Sequence, residues 1–167
     1  MRKVNFRALE PEDLDMLYKI ENDGALWRVG NTNVPYSRYA LHDYIAHASN
    51  DIYTDKQVRL MIEDAEGHPV GILDLVDFNP KYLRAEVGIV VESRYRHQGL
   101  ATAALREAIE YSRRVLHLHQ IYAVVDMENE EALALFRKQN FTGDTILKHW
   151  LFDGKRYHDA LMMHFFL

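Results

Sequence analysis

Apolar positions alternate with polar ones in some stretches of the chain and recur at helical spacing in others. Residues 4–8 read as a short strand. Pro11, followed by Glu12 and Asp13, suits the first turn of a helix reaching Glu21, with Leu14, Leu17 and Tyr18 on its apolar side. Residues 22–36 are loop-like, carrying Gly24, Gly30 and Pro35. Ser37 suits the cap of a second helix whose apolar side holds Leu41, Tyr44, Ile45 and Ala48. Residues 58–62, 70–78 and 85–91 are strand-like runs rich in β-branched residues, parted by turns at 66–69 and at Asn79-Pro80. A helix over 100–115, a short strand over 121–125 and a helix over 129–140 follow. The tail predicts a hairpin of 146–152 and 157–166 around Asp153-Gly154. This order predicts a mixed α/β sandwich around a sheet, not a doubly wound fold.

Length and composition narrow the class. At 167 residues the chain predicts one domain, spanning 1–167. Twenty Lys and Arg against 25 Asp and Glu leave a formal charge of −5, so nucleic acid is not an expected partner. There are no cysteines, which removes disulfides, thiolate metal sites and a cysteine nucleophile. No apolar run approaches the roughly 18 residues that span a bilayer. The first residues carry no apolar signal core. A cytoplasmic protein without a membrane partner is the expectation. Nine histidines raise a metal question, but His117 and His119 lack a convincingly spaced third ligand, and no metal is expected.

The richest stretch runs from strand to loop to helix through Arg94, Arg96, His97, Gln98, Gly99, Leu100, Ala101 and Thr102. A loop that opens a helix presents unpaired backbone N–H groups and the positive end of the helix dipole, which together suit a phosphate. Gly99 lets a ligand approach the backbone, and Ala101 keeps the first turn narrow. A P-loop is disfavoured because its Gly-Lys-Ser/Thr ending is missing. Further on, Asn129 suits an N-cap, with Glu130 and Glu131 in the first turn and Arg137 and Lys138 in the last. Ala132, Leu135 and Phe136 fall at helical spacing, and Asn140 is placed for a left-handed helix end.

Together these two segments resemble the GNAT superfamily of acetyl-CoA-dependent N-acetyltransferases. Arg96-x-x-Gly99-x-Ala101 fits its pyrophosphate motif. Asn129, Ala132, Phe136 and Phe141 stand in register with its later helix, with Asn140 in the usual Gly place. Within the superfamily the chain is most similar to bacterial spermidine/spermine (diamine) N-acetyltransferases, through stretches 6–14, 70–77, 84–86, 124–130 and 152–160.

The resemblance implies a central, mostly antiparallel twisted sheet of about seven strands with a splayed pair, flanked by four helices. It implies acetyl-CoA as cofactor, CoA as product, and a small-molecule amine as partner in a ternary complex. Arg96, His97, Gln98, Gly99, Leu100, Ala101 and Thr102 would take the pyrophosphate. Ile89, Val90 and Val91 would bond the pantetheine arm, and Asn129 would face the cofactor. A homo-oligomer, dimer or larger, is also implied. Two departures stand out. Phe136 occupies the place of a Tyr that commonly serves as general acid, and Phe carries no such proton. Residues 27–36 hold no carboxylate where polyamine enzymes carry an acidic effector cluster.

Transfer to an amine requires a base, because an aliphatic amine is mostly protonated near neutrality. Glu86, in the strand leading to the loop, is the candidate base and a candidate substrate ligand. Asp74 and Asp77 are further substrate candidates; three apart in a strand, they are expected on opposite faces. Residues 51–77 hold seven acids and two basic residues, while 94–114 hold five basic and two acidic ones. Such an asymmetry suits a cationic substrate beside an anionic cofactor. Acetylation of a protein N-terminus, or CoA binding without turnover, are the alternatives.

Overall fold

Seven strands form one sheet: β1 (Asn5–Ala8), β2 (Val58–Glu63), β3 (Pro69–Asn79), β4 (Arg84–Val91), β5 (Gln120–Asp126), β6 (Thr142–Phe152) and β7 (Tyr157–Phe166). Their order across the sheet is β1-β2-β3-β4-β5-β7-β6. Every neighbouring pair is antiparallel except β4 and β5. The computed structural model describes residues 2–27 and 34–167.

Alternation along the strands gives each face its own helices. Leu60, Leu73, Leu75 and Val87 point to one face and pack with Ala104, Leu105 and Ala108 of α5 (Leu100–Arg114). The alanines of this helix let its backbone lie close to the sheet. Leu133 and Phe136 of α6 (Glu130–Lys138) join the same core. On the other face, Ile72 and Val90 pack with Leu17 and Ile20 of α1 (Leu14–Glu21) and Leu41 of α3 (Arg38–His47). Burying each such side chain contributes about 1.5–3 kcal/mol.

The four helices predicted are present, joined by two single turns that lack a helical repeat, α2 (Gly24–Trp27) and α4 (Ile52–Asp55). The hairpin differs in its turn. Residues 153–156 form a four-residue loop in which Asp153 Oδ1 accepts from the N–H groups of Lys155 and Arg156. Among the described residues no helix is long and apolar enough to cross a membrane.

Candidate active site

β4 and β5 share only three parallel pairs: Arg84 with Gln120, Ala85 with Ile121, and Glu86 with Tyr122. β4 then continues to Val91 bonded to β3, and β5 to Asp126 bonded to β7. Past Glu86 and Tyr122 the two strands have no register with each other, so a wedge-shaped gap opens in the middle of the sheet. The β4 register with β3 is unbroken from Glu86 to Val91. Val87 and Ile89 therefore face the α5 core, while Glu86, Gly88 and Val90 face the α1/α3 side.

Glu86 stands at the vertex of the gap. Burial and the Asp77 carboxylate push it above the usual carboxylate range, opposed by the Val124 backbone N–H, which favours the charged form. Burial, Glu86 and Asp77 likewise raise the Tyr122 phenol. Asp77 reaches this cluster because β3 bulges: its register with β4 shifts between Val76 and Asn79, and Asp77 sits at φ 50°. The bulge breaks the alternation that predicted opposite faces for Asp74 and Asp77.

Asp74 has a different fate. Both its oxygens accept from Arg59, Nε to Oδ1 at 2.6 Å and Nη2 to Oδ2 at 2.8 Å. Arg59 also pairs with Glu21 of α1. Asp74 thus braces the sheet against α1, and its carboxylate is taken up by a guanidinium rather than offered to an ammonium. Gly88 is exposed beside it, and a Cβ there would meet only the Asp74 Cβ, at 3.8 Å, so this wall of the cleft is open.

At the far end of β4 the loop reaches α5. His97 and Gly99 both take left-handed backbone, at φ 57° and 79°. Gly99 is the N-cap of α5 and supplies no side-chain cap, and no acid lies in the first turn. The helix therefore presents uncompensated N–H groups at its positive end. Arg96 Nε donates to the Val91 carbonyl at 3.0 Å, which holds its guanidinium at the loop. Buried Glu92 pairs with Arg94 of the loop and with Lys19 of α1. Those cations, and hydrogen bonds from them, lower Glu92 against a large opposing effect of burial.

The second motif is built into α6. Asn129 Oδ1 accepts from the Ala132 N–H at 3.1 Å and caps the helix, so its amide oxygen is already engaged. Phe136 is 6% exposed and packs edge-to-face on Phe141 with ring centroids 5.0 Å apart. Asn140 takes the left-handed conformation its position predicts, at φ 63°. Of the candidate residues, the structure brings Glu86 and Asp77 together, places Ile89 to Val91 along the gap, and sets Arg96 to Thr102 at its far end. Glu92, between the loop and α1, is a residue of this region that sequence reasoning did not single out. No spacing rule marks Glu92, since one of its partners is Lys19, distant in sequence. Residues 28–33 of the expected effector segment lie outside the described residues.

A model of the acetyltransferase (GNAT) domain matches residues 3–142. The chain belongs to the GNAT acetyltransferases. It is similar to the spermidine N(1)-acetyltransferase of Escherichia coli K12, with 32% identity over 164 residues, 96% of this chain and 84% of that one. The spermidine N-acetyltransferase of Vibrio cholerae, solved in complex with CoA and spermine, matches with a TM-score of 0.87 and 28% identity, covering 98% and 95% of the two chains. A dodecameric structure of the Vibrio cholerae enzyme matches with a TM-score of 0.81 and 27% identity, covering 98% and 94%.

Proposed function

We propose that this GNAT acetyltransferase moves the acetyl group of acetyl-CoA onto a primary amine of a small polyamine such as spermidine. The observation that carries this reading is the acidic pair Glu86 and Asp77 at the vertex of the β4/β5 gap, with an anion-binding helix start at the other end of the same strand.

The residues present fit acetyl-CoA. Gly99 leaves room where a side chain would stand, with only Arg2 Cγ near a notional Cβ, and the loop from Arg96 to Thr102 turns N–H groups outward for a diphosphate. The unpaired edge of β4 through Ile89, Val90 and Val91 offers main-chain groups to an amide-bearing arm. When bound, acetyl-CoA supplies an activated acyl group and a thiol leaving group. Glu86 accepts the proton that the attacking ammonium must lose, and its raised pKa makes it a stronger base than an ordinary carboxylate. Asp77, exposed beside it, attracts the cationic substrate. Asn129 fixes the start of α6 at the gap. Phe136 offers no proton, and in this reading the cleft draws one from water.

We infer further that copies of the chain associate through the β6–β7 hairpin. Trp150, Phe152 and Tyr157 are 60%, 55% and 61% exposed there, and a similar enzyme is dodecameric. Light scattering on the purified protein measures this directly.

The activity is tested by thiol release from acetyl-CoA across spermidine, spermine, putrescine, lysine and peptides with free α-amines. The chain adds no thiol of its own. Turnover with polyamines is expected. Turnover with peptides alone would move the assignment to N-terminal acetylation. CoA binding with no transfer would leave a binding protein.

A further inference from the structure

We propose that Arg2 is a phosphate-binding residue of the acetyl-CoA site. Its backbone is held by Arg106, and its side chain lies over Gly99. The inference rests on the acetyl-CoA reading above and adds a residue that lies outside both motifs.

Three observations converge on Arg2. Its Cγ is 3.9 Å from where a Cβ of Gly99 would stand, so the side chain crosses the left-handed N-cap of α5. Its carbonyl oxygen accepts from Arg106 Nη2 at 3.2 Å, which ties the segment leading into β1 to the second turn of α5. Among the described residues, its guanidinium has no hydrogen bond and no ion pair.

A cation at a helix N-terminus opposes the dipole, and α5 has no acid in its first turn to offset it. Of the other loop cations, Arg94 is paired with Glu92, while Arg96 spends its Nε on the neutral Val91 carbonyl. An open depression of about 260 Å³ beside Leu100 is lined by Arg2 and Lys3 together with Asp64 and Glu66. Asp64 spends Oδ1 on the N–H groups of Glu66 and His68, and its Oδ2 lies 3.3 Å from His68 Nδ1. Its carboxylate is thereby turned toward its own loop, and Glu66 is the other acid lining the depression. A phosphate at the α5 N-terminus would receive the Arg2 guanidinium as a second, charged set of donors, in the fork geometry arginine brings to phosphate.

The test is calorimetric titration of wild type, Arg2→Gln and Arg2→Lys with CoA and with 3′-dephospho-CoA. Arg2→Gln is expected to weaken CoA about 10- to 100-fold, the range of a lost charged hydrogen bond, while Arg2→Lys keeps most of the affinity. Equal losses for both ligands would assign Arg2 to the diphosphate, and a loss for CoA alone to the 3′-phosphate. Either supports the proposal. Arg106→Ala is expected to weaken CoA in wild type and to add little in Arg2→Gln, a non-additivity that a purely structural role would not give. Thermal midpoints verify that the variants fold. Equal affinity of wild type and Arg2→Gln for both ligands would overturn this inference alone. Wild type that binds neither ligand would overturn the acetyl-CoA reading and this inference with it.

Discussion

Glu86 on β4 and Tyr122 on β5 are the last residues those strands share before they part, and both side chains titrate above their ordinary ranges. A carboxyl at such a vertex is half removed from water, yet it fronts the space a ligand would fill. The same burial that makes it a better base makes it a poorer contributor to stability.

That trade sets the first prediction. With its folded pKa raised, Glu86 holds its proton more tightly in the folded than in the unfolded chain, whose value is near ~4.3. Stability therefore falls as pH rises from there through the folded value, and stays lowered above it. Glu86→Gln is expected to raise the thermal midpoint at pH 8, with the difference closing toward pH 4. Melting curves of both proteins across that range check it.

Gly99 is the second. At φ 79° a β-branched side chain is strained by about 1–2 kcal/mol and stands where the anion would approach. Gly99→Val is expected to weaken CoA at least tenfold in calorimetry. Gly154, at φ 93° in the β6–β7 loop, is the control. Gly154→Val is expected to lower stability similarly while leaving CoA affinity unchanged.

Asp77, a substrate contact in the proposed function, and Asp74, a brace for Arg59, are distinguished by their amides. Asp77→Asn is expected to raise KM for spermidine several-fold and, by removing a neighbouring negative charge, to shift the acidic limb of kcat/KM to lower pH. Asp74→Asn deprives Arg59 of its paired carboxylate and is expected to lower stability by about 1–3 kcal/mol in urea unfolding, with Glu21 still in place.

Phe136 tests the missing acid. Phe136→Tyr is expected to raise kcat about tenfold or more, since a positioned acid typically contributes 10² to 10⁴. Placing a hydroxyl in the aromatic contact with Phe141 lowers stability by about 1–3 kcal/mol. An unchanged kcat would mean that a tyrosine hydroxyl at position 136 does not serve as the acid.

What was legible in the sequence was local. Alternation marked the strands, Asn140 marked a left-handed helix end, and Asn129 marked the start of α6, because each depends on residues a few places apart. The bulge that carries Asp77 toward Glu86 was not legible, since it is a property of how β3 pairs with β4 and leaves no local signature. Glu92 was missed for a similar reason, its partner Lys19 lying on a helix from the other end of the chain. The parting of β4 from β5 was implied by family resemblance alone; no residue in either strand announces it.

The central claim is that the Glu86 vertex performs the proton transfer of amine acetylation. It is tested most directly by kcat/KM for spermidine in wild type and Glu86→Gln, with CoA affinity measured on the same samples. A loss of about 10²- to 10⁴-fold in the variant with CoA affinity unchanged is the predicted result. A variant within about twofold of wild type would contradict the claim and move the base elsewhere in the cleft.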